Sequence, residues 1–145
     1  MSLESWRQNG WLSAHEPSRQ EIEDLLALVD RDLRDCRSEG LSADWRFNIA
    51  YNAILQSATA ALVAAGYRAT RDAPHYRVLQ SLGLTIGAPV TTLRYLDALR
   101  KKRNLTGYER TGAVSDQEAE EIVETASHLR HQVKEWIGST HPELL

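Results

Sequence analysis

The chain has 145 residues, 42 % of them apolar, with eight Gly, four Pro, one Cys and a formal net charge of −3. That length and apolar content predict one domain with its own core and exclude a disordered chain. The charge excludes a uniformly basic nucleic-acid binder. The lone Cys36 excludes an intramolecular disulfide and a Cys-rich zinc site. Met1 to His15 has no basic start followed by an apolar run. No secretory signal is therefore expected, and a reducing, cytoplasmic home follows.

Low Gly and Pro with abundant Ala and Leu point to helices, and no strand is expected. Residues 1–17, with Trp6 and Trp11, read as an arm that packs onto the body. The domain proper spans 18–137, and 138–145 reads as a short polar tail in which Pro142 bars a further helix. The first helix runs from Ser18 to about Arg37. Ser18 and Glu21 form a capping box, and Ile22, Leu25, Leu26, Val29, Leu33 and Cys36 recur on one face. Cys36 reads as inert core.

Ser42 or Asp44 caps a second helix that runs to Ala65, with Gly66 as its breaker. No charged residue occurs between Arg46 and Arg68. Asn48, Asn52 and Gln56 interrupt the run, so it is not read as a membrane span. It reads instead as a helix buried on nearly all sides, either central to a bundle or covered by a second copy of the chain. Its three amides share a stripe and, if buried, need hydrogen-bond partners, as in an interhelical network.

Pro74 starts a third helix through Ile86, and Pro89 a fourth that ends near Arg103. Val90, Leu93, Leu96 and Leu99 are expected to face inward. Asn104 to Val114 reads as a loop. Ser115 and Glu118 form a second capping box, opening a last helix that buries Ala119, Ile122, Val123, Ala126, Leu129, Val133 and Trp136. The expected class is all-α, an antiparallel four-helix bundle with an additional short helix.

The mild total charge conceals a division. Residues 66–112 hold nine basic and three acidic residues, a net of +6, and the rest of the chain carries −9. The densest run is Arg100, Lys101, Lys102 and Arg103. Four consecutive helical residues cover every side, so at least one faces a groove. Phosphate binding, with Arg103 the most inward, is one reading. A solvated helix end favoured by the helix dipole is the other.

His128, His131 and Glu124 have metal-ligand spacing but lie on the stripe opposite the apolar face, which reads as solvated, so no metal site is assigned. His75 reads as a surface or capping residue within the basic segment. Gly83 and Gly87 do not follow a strand, so there is no phosphate loop, and no Gly-x-Ser-x-Gly motif occurs. No cofactor is implied.

Several segments together resemble small bacterial HEPN domains: the uncharged helix Phe47 to Gln56 with Ala60 to Arg68, the segment His75 to Leu82, the run Leu96 to Asn104 with Gly107 and Tyr108, and the last helix to Trp136. The resemblance covers roughly residues 18–137. It implies a helical bundle, a homodimer formed through the uncharged helix, and contact with RNA or a nucleotide. It extends to a weak or degenerate metal-independent endoribonuclease of a toxin–antitoxin or defence system. In the family motif an Arg and a polar residue precede a His, and Arg103 and Asn104 match the first two. Tyr108 stands where His is expected. A Tyr with a pKa of ~10 is a poor base for a 2′-hydroxyl, although it can hydrogen-bond phosphate, act as an acid or stack on a base. Arg103 would clamp phosphate with Asn104 in support, while Arg100, Lys101, Lys102, Arg110, Arg77 and His75 would contact the nucleic acid. The alternative is a non-catalytic helical module that docks on a partner such as a nucleotidyltransferase. No membrane association is expected under either reading.

Overall fold

A computed structural model of the chain describes residues 1–106 and 114–145. Tyr108 and Arg110 lie outside the described residues. The fold is mostly helical. The elements are α1 (Leu3–Gln8), β1 (Leu12–Ala14), α2 (Arg19–Asp35), α3 (Ala43–Ala64), β2 (Tyr67–Ala69), α4 (Pro74–Gln80), α5 (Val90–Thr106) and α6 (Asp116–Thr140). Short 3-10 turns at Ser81–Gly83 and Pro142–Leu144 complete them.

The body is built by α2, α3 and α6, which pack on one another, while α4 and α5 pack together against α3. The charge-free helix is therefore the centre of a single chain. Ala50, Ala53, Ala58 and Ala61 are fully buried along it. Alanine loses no side-chain entropy and lets neighbouring helices approach closely. Within the amide stripe, Asn52 Nδ2 donates to Asp32 Oδ2 at 2.6 Å, and Arg31 Nη2 donates to Asp32 Oδ1 at 3.1 Å. The interhelical network thus forms around Asp32, a carboxylate only 5 % exposed.

Caps match residue chemistry. Ser18, Ser42 and Ser115 each accept a backbone N–H in the first turn of α2, α3 and α6. The box at Ser115 and Glu118 is complete. The one at Ser18 is not, because the Glu21 carboxylate is drawn to His15 at 2.7 Å and Arg68 at 3.2 Å instead.

Four expectations need correction. First, β1 and β2 form a two-stranded antiparallel sheet, with Leu12 opposite Ala69. Gly66, at φ +99°, makes the turn from α3 into β2, and its carbonyl accepts the His15 N–H at 2.9 Å. Most side chains avoid that conformation. Second, α4 stops at Gln80. Ser81 Oγ donates to the Val78 carbonyl at 2.6 Å, competing with helix continuation. A Cβ at Gly83 would lie 3.0 Å from Leu93, so the turn there lets α5 come close. Third, α5 continues through Asn104 to Thr106, because no breaker occurs before Gly107 and cations are favoured in a last turn. Val90 at its start is 61 % exposed, not inward. Fourth, the tail is not simply polar: Pro142 opens a 3-10 turn that buries Leu144.

Trp6 and Trp11 meet edge to face at 5.8 Å, and Thr70 N–H donates to the Trp11 carbonyl at 3.0 Å. Among the described residues, no helix is long and apolar enough to cross a membrane.

Candidate phosphate-binding site

The site lies where α3, α4 and α5 meet. Tyr51, only 1 % exposed, comes from α3, and its hydroxyl is buried without a hydrogen-bond partner among the described residues. Asn48, three residues earlier and so a neighbour on the helix surface, has a buried Oδ1 in the same condition. The Arg103 guanidinium of α5 lies 5.2 Å from the centre of the Tyr51 ring. That places a cation against the electron-rich face of an aromatic ring.

His75 enters from α4, its ring centre 6.4 Å from that of Tyr51. Ala73, just before Pro74, is held at φ +48°, ψ +57°. Proline disfavours the right-handed helical region for the residue before it, and the left-handed one costs about 1–2 kcal/mol for a side-chain-bearing residue. That backbone sets the entry of His75. His75 as a whole is exposed, yet partial desolvation of its ring, with the positive charges of Arg103 and Arg100, holds the imidazole below its usual pKa. Burial pushes the Tyr51 phenol up, against the opposing influence of Arg103 and Arg100. At neutral pH the site therefore combines a neutral imidazole, a neutral phenol and two guanidiniums.

The basic run divides by direction. Arg100 and Arg103, one turn apart, are both half-buried, so the inward position is shared rather than held by Arg103 alone. Arg100 Nε donates to Asp97 Oδ1 at 2.8 Å. Lys101 is exposed, with its ammonium 3.4 Å from Asp97 Oδ2. Lys102 turns the other way and pairs with Glu118 of α6. Asn104 is exposed at the surface of α5. Arg77 is half-buried with its guanidinium stacked 3.8 Å over Trp11, so it ties α4 to the arm. The expectation of Arg77 as a phosphate contact is thus replaced by a packing role in this arrangement.

The structure brings Arg103, Arg100 and His75 together, pairs Lys102 with Glu118, stacks Arg77 on Trp11 and leaves Asn104 exposed. Sequence reading missed Tyr51 and Asp97. Tyr51 stood within an apolar helix and read as core. The available signal was its hydroxyl, which needs a partner when buried. Glu124, His128 and His131 are exposed on α6. Among the described residues, no group of three or more His, Cys, Asp or Glu side chains is placed to hold a metal.

Comparison with protein-family models, with curated proteins and with solved structures gave no match for this chain.

Proposed function

We propose that the chain is a HEPN-like protein that binds the phosphate of RNA or of a nucleotide at Arg103. The observation that carries this is the Arg103 guanidinium over the ring of Tyr51, whose hydroxyl is buried without a hydrogen-bond partner among the described residues. A buried polar atom without a partner costs about 1–3 kcal/mol, and a phosphate oxygen would relieve it. Arg103 supplies the charge, Arg100 adds a second cation, and Asn48 lies on the same helix face.

His75 extends the reading towards cleavage. A neutral imidazole beside Arg103 has the character needed to accept a 2′-hydroxyl proton, the capacity that Tyr108 lacks. In that step the 2′-oxygen bonds to phosphorus, the bond to the 5′-oxygen breaks, and water protonates the leaving oxygen. The burial of α3 within one chain removes the reason that its charge-free sequence offered for a second copy. A homodimer therefore rests on the family resemblance alone, as does a toxin–antitoxin or defence setting.

The alternative, a helical module docking on a partner protein such as a nucleotidyltransferase, is favoured by the exposed Val90 and Tyr95 on α5. One experiment separates the two. Binding of a single-stranded RNA decamer is measured at low salt for wild type and Arg103→Ala, with RNA digestion followed for both and for His75→Ala. Loss of binding by about tenfold or more in Arg103→Ala supports the phosphate site. Absence of binding by the wild type supports the docking module, because phosphate contacts are strongest at low salt.

A further inference from the structure

A groove of about 430 Å³ runs between α4 and α5 next to the Arg103 cluster. One wall is the Tyr76 ring and Gln80 of α4. The other is Leu93, Ala98 and the stem of Lys101 on α5. Its lining mixes aromatic and apolar side chains with the polar Gln80, Arg94, Asp97 and Lys101. A volume of this size falls within the range of small-ligand sites, about 300–1,000 Å³.

Arg100 links this groove to the phosphate site. Its guanidinium is hydrogen-bonded to Asp97, a residue of the groove wall, and sits 5.4 Å from the centre of the Tyr76 ring. The same guanidinium is within electrostatic reach of Tyr51 and His75. An anion held at Arg103 and a ring lodged against Tyr76 would thus be joined across one side chain. A ligand with a charged group at one end and a flat apolar body at the other would suit that arrangement.

Resting on the phosphate-site reading, we infer that the α4–α5 groove is a nucleobase subsite, in which the base attached to the bound phosphate lies between Tyr76 and the Leu93–Ala98 wall. Every base has an apolar face that packs on an aromatic ring, so the site tolerates different bases. Arg94 and Lys101 line the groove beside the single carboxylate of Asp97, and this excess of cations suits a nucleotide better than an uncharged apolar ligand.

The test compares two decamers with equal phosphate content, one of adenylate RNA and one abasic, together with the mononucleotide AMP. Binding to the full chain is followed by anisotropy or calorimetry for wild type, Tyr76→Phe and Tyr76→Leu. The expected result is that wild type prefers the base-bearing decamer to the abasic one by about tenfold, with Tyr76→Phe the same. Tyr76→Leu should bring the two decamers to equal affinity. AMP competing at the same site marks a free nucleotide as sufficient, and binding of the decamer alone marks the RNA strand as the ligand. Equal binding of both decamers by wild type overturns the base subsite and leaves the phosphate site standing. Failure of wild type to bind any of the three overturns the phosphate site itself.

Discussion

The guanidinium of Arg103 lies 5.2 Å from the centre of the Tyr51 ring, whose hydroxyl is buried and has no hydrogen-bond partner among the described residues. The pair has opposite consequences for stability and for binding. Tyr51→Phe keeps the ring that faces the guanidinium and removes only the orphan oxygen. Leaving a polar group unsatisfied costs about 1–3 kcal/mol, so the variant should be as stable as wild type or more so in chemical denaturation. Its affinity for a phosphate ligand should fall. A variant that loses stability instead would show that the hydroxyl has a structural partner.

His75 provides a pH signature. Its imidazole is held below the ordinary range by partial desolvation of an otherwise exposed residue, with the charges of Arg103 and Arg100 adding to the effect. The unfolded chain takes up this proton near the usual value of about 6.5, and the folded chain only at lower pH. Between the two values the unfolded state binds more protons, so stability rises with pH across that window and is fully present above it. An NMR titration of the ring should give a midpoint below the usual one. Arg103→Ala should move it upward, since one opposing charge is gone. A midpoint indifferent to Arg103 would place the two side chains in separate environments.

Three of the long helices were legible from their serine caps, joined by an apolar stripe of the right period on α2 and α6 and by the charge-free run on α3. Ser42 before the charge-free run and Gly66 after it bracket α3 within a residue. The strands were not legible, because three residues such as Leu12, Ser13 and Ala14 are too few to show alternation. Their pairing joins segments more than fifty residues apart, which local pattern cannot reveal. Arg103 was singled out by charge density and by its match to the Arg of the resembled motif. Tyr51 was hidden because core-filling and site-forming tyrosines look alike until the fate of the hydroxyl is known. His75 was noted, but only the packing of α4 on α3 brings it to Arg103.

The centre of the fold makes a mechanical prediction. Ala58 is fully buried on α3, whose flanks are occupied by α2, α6, α4 and α5. Ala58→Leu inserts a branched chain where neighbouring helices leave no room, and should cost about 1–3 kcal/mol. Ala27 is exposed on α2, and Ala27→Leu should change stability by less than about 0.5 kcal/mol. Urea denaturation of the two variants checks the contrast. Equal stability would mean that α3 has a loosely packed side.

Asp97 restrains the basic cluster, and its removal should show by how much. Burial pulls its carboxyl upward, but hydrogen bonds and charge from Arg100 and Lys101 outweigh that and leave it below the usual carboxylate range. Asp97 is therefore anionic at neutral pH and partly neutralises two cations beside the phosphate site. Its contribution to stability is present above the unfolded carboxyl value of about 3.9, and is lost as pH falls through the lower folded one. In Asp97→Asn the anion is gone, while an amide still occupies the space between Arg100 and Lys101. RNA binding at low salt should tighten by about threefold, an advantage that fades as added salt screens the exposed charges. The plot of log affinity against log salt should steepen by roughly 0.7, the value for one further single-strand phosphate neutralised. An unchanged slope, with affinity unchanged, would mean that Arg100 and Lys101 do not meet the ligand and that phosphate recognition falls to Arg103 alone.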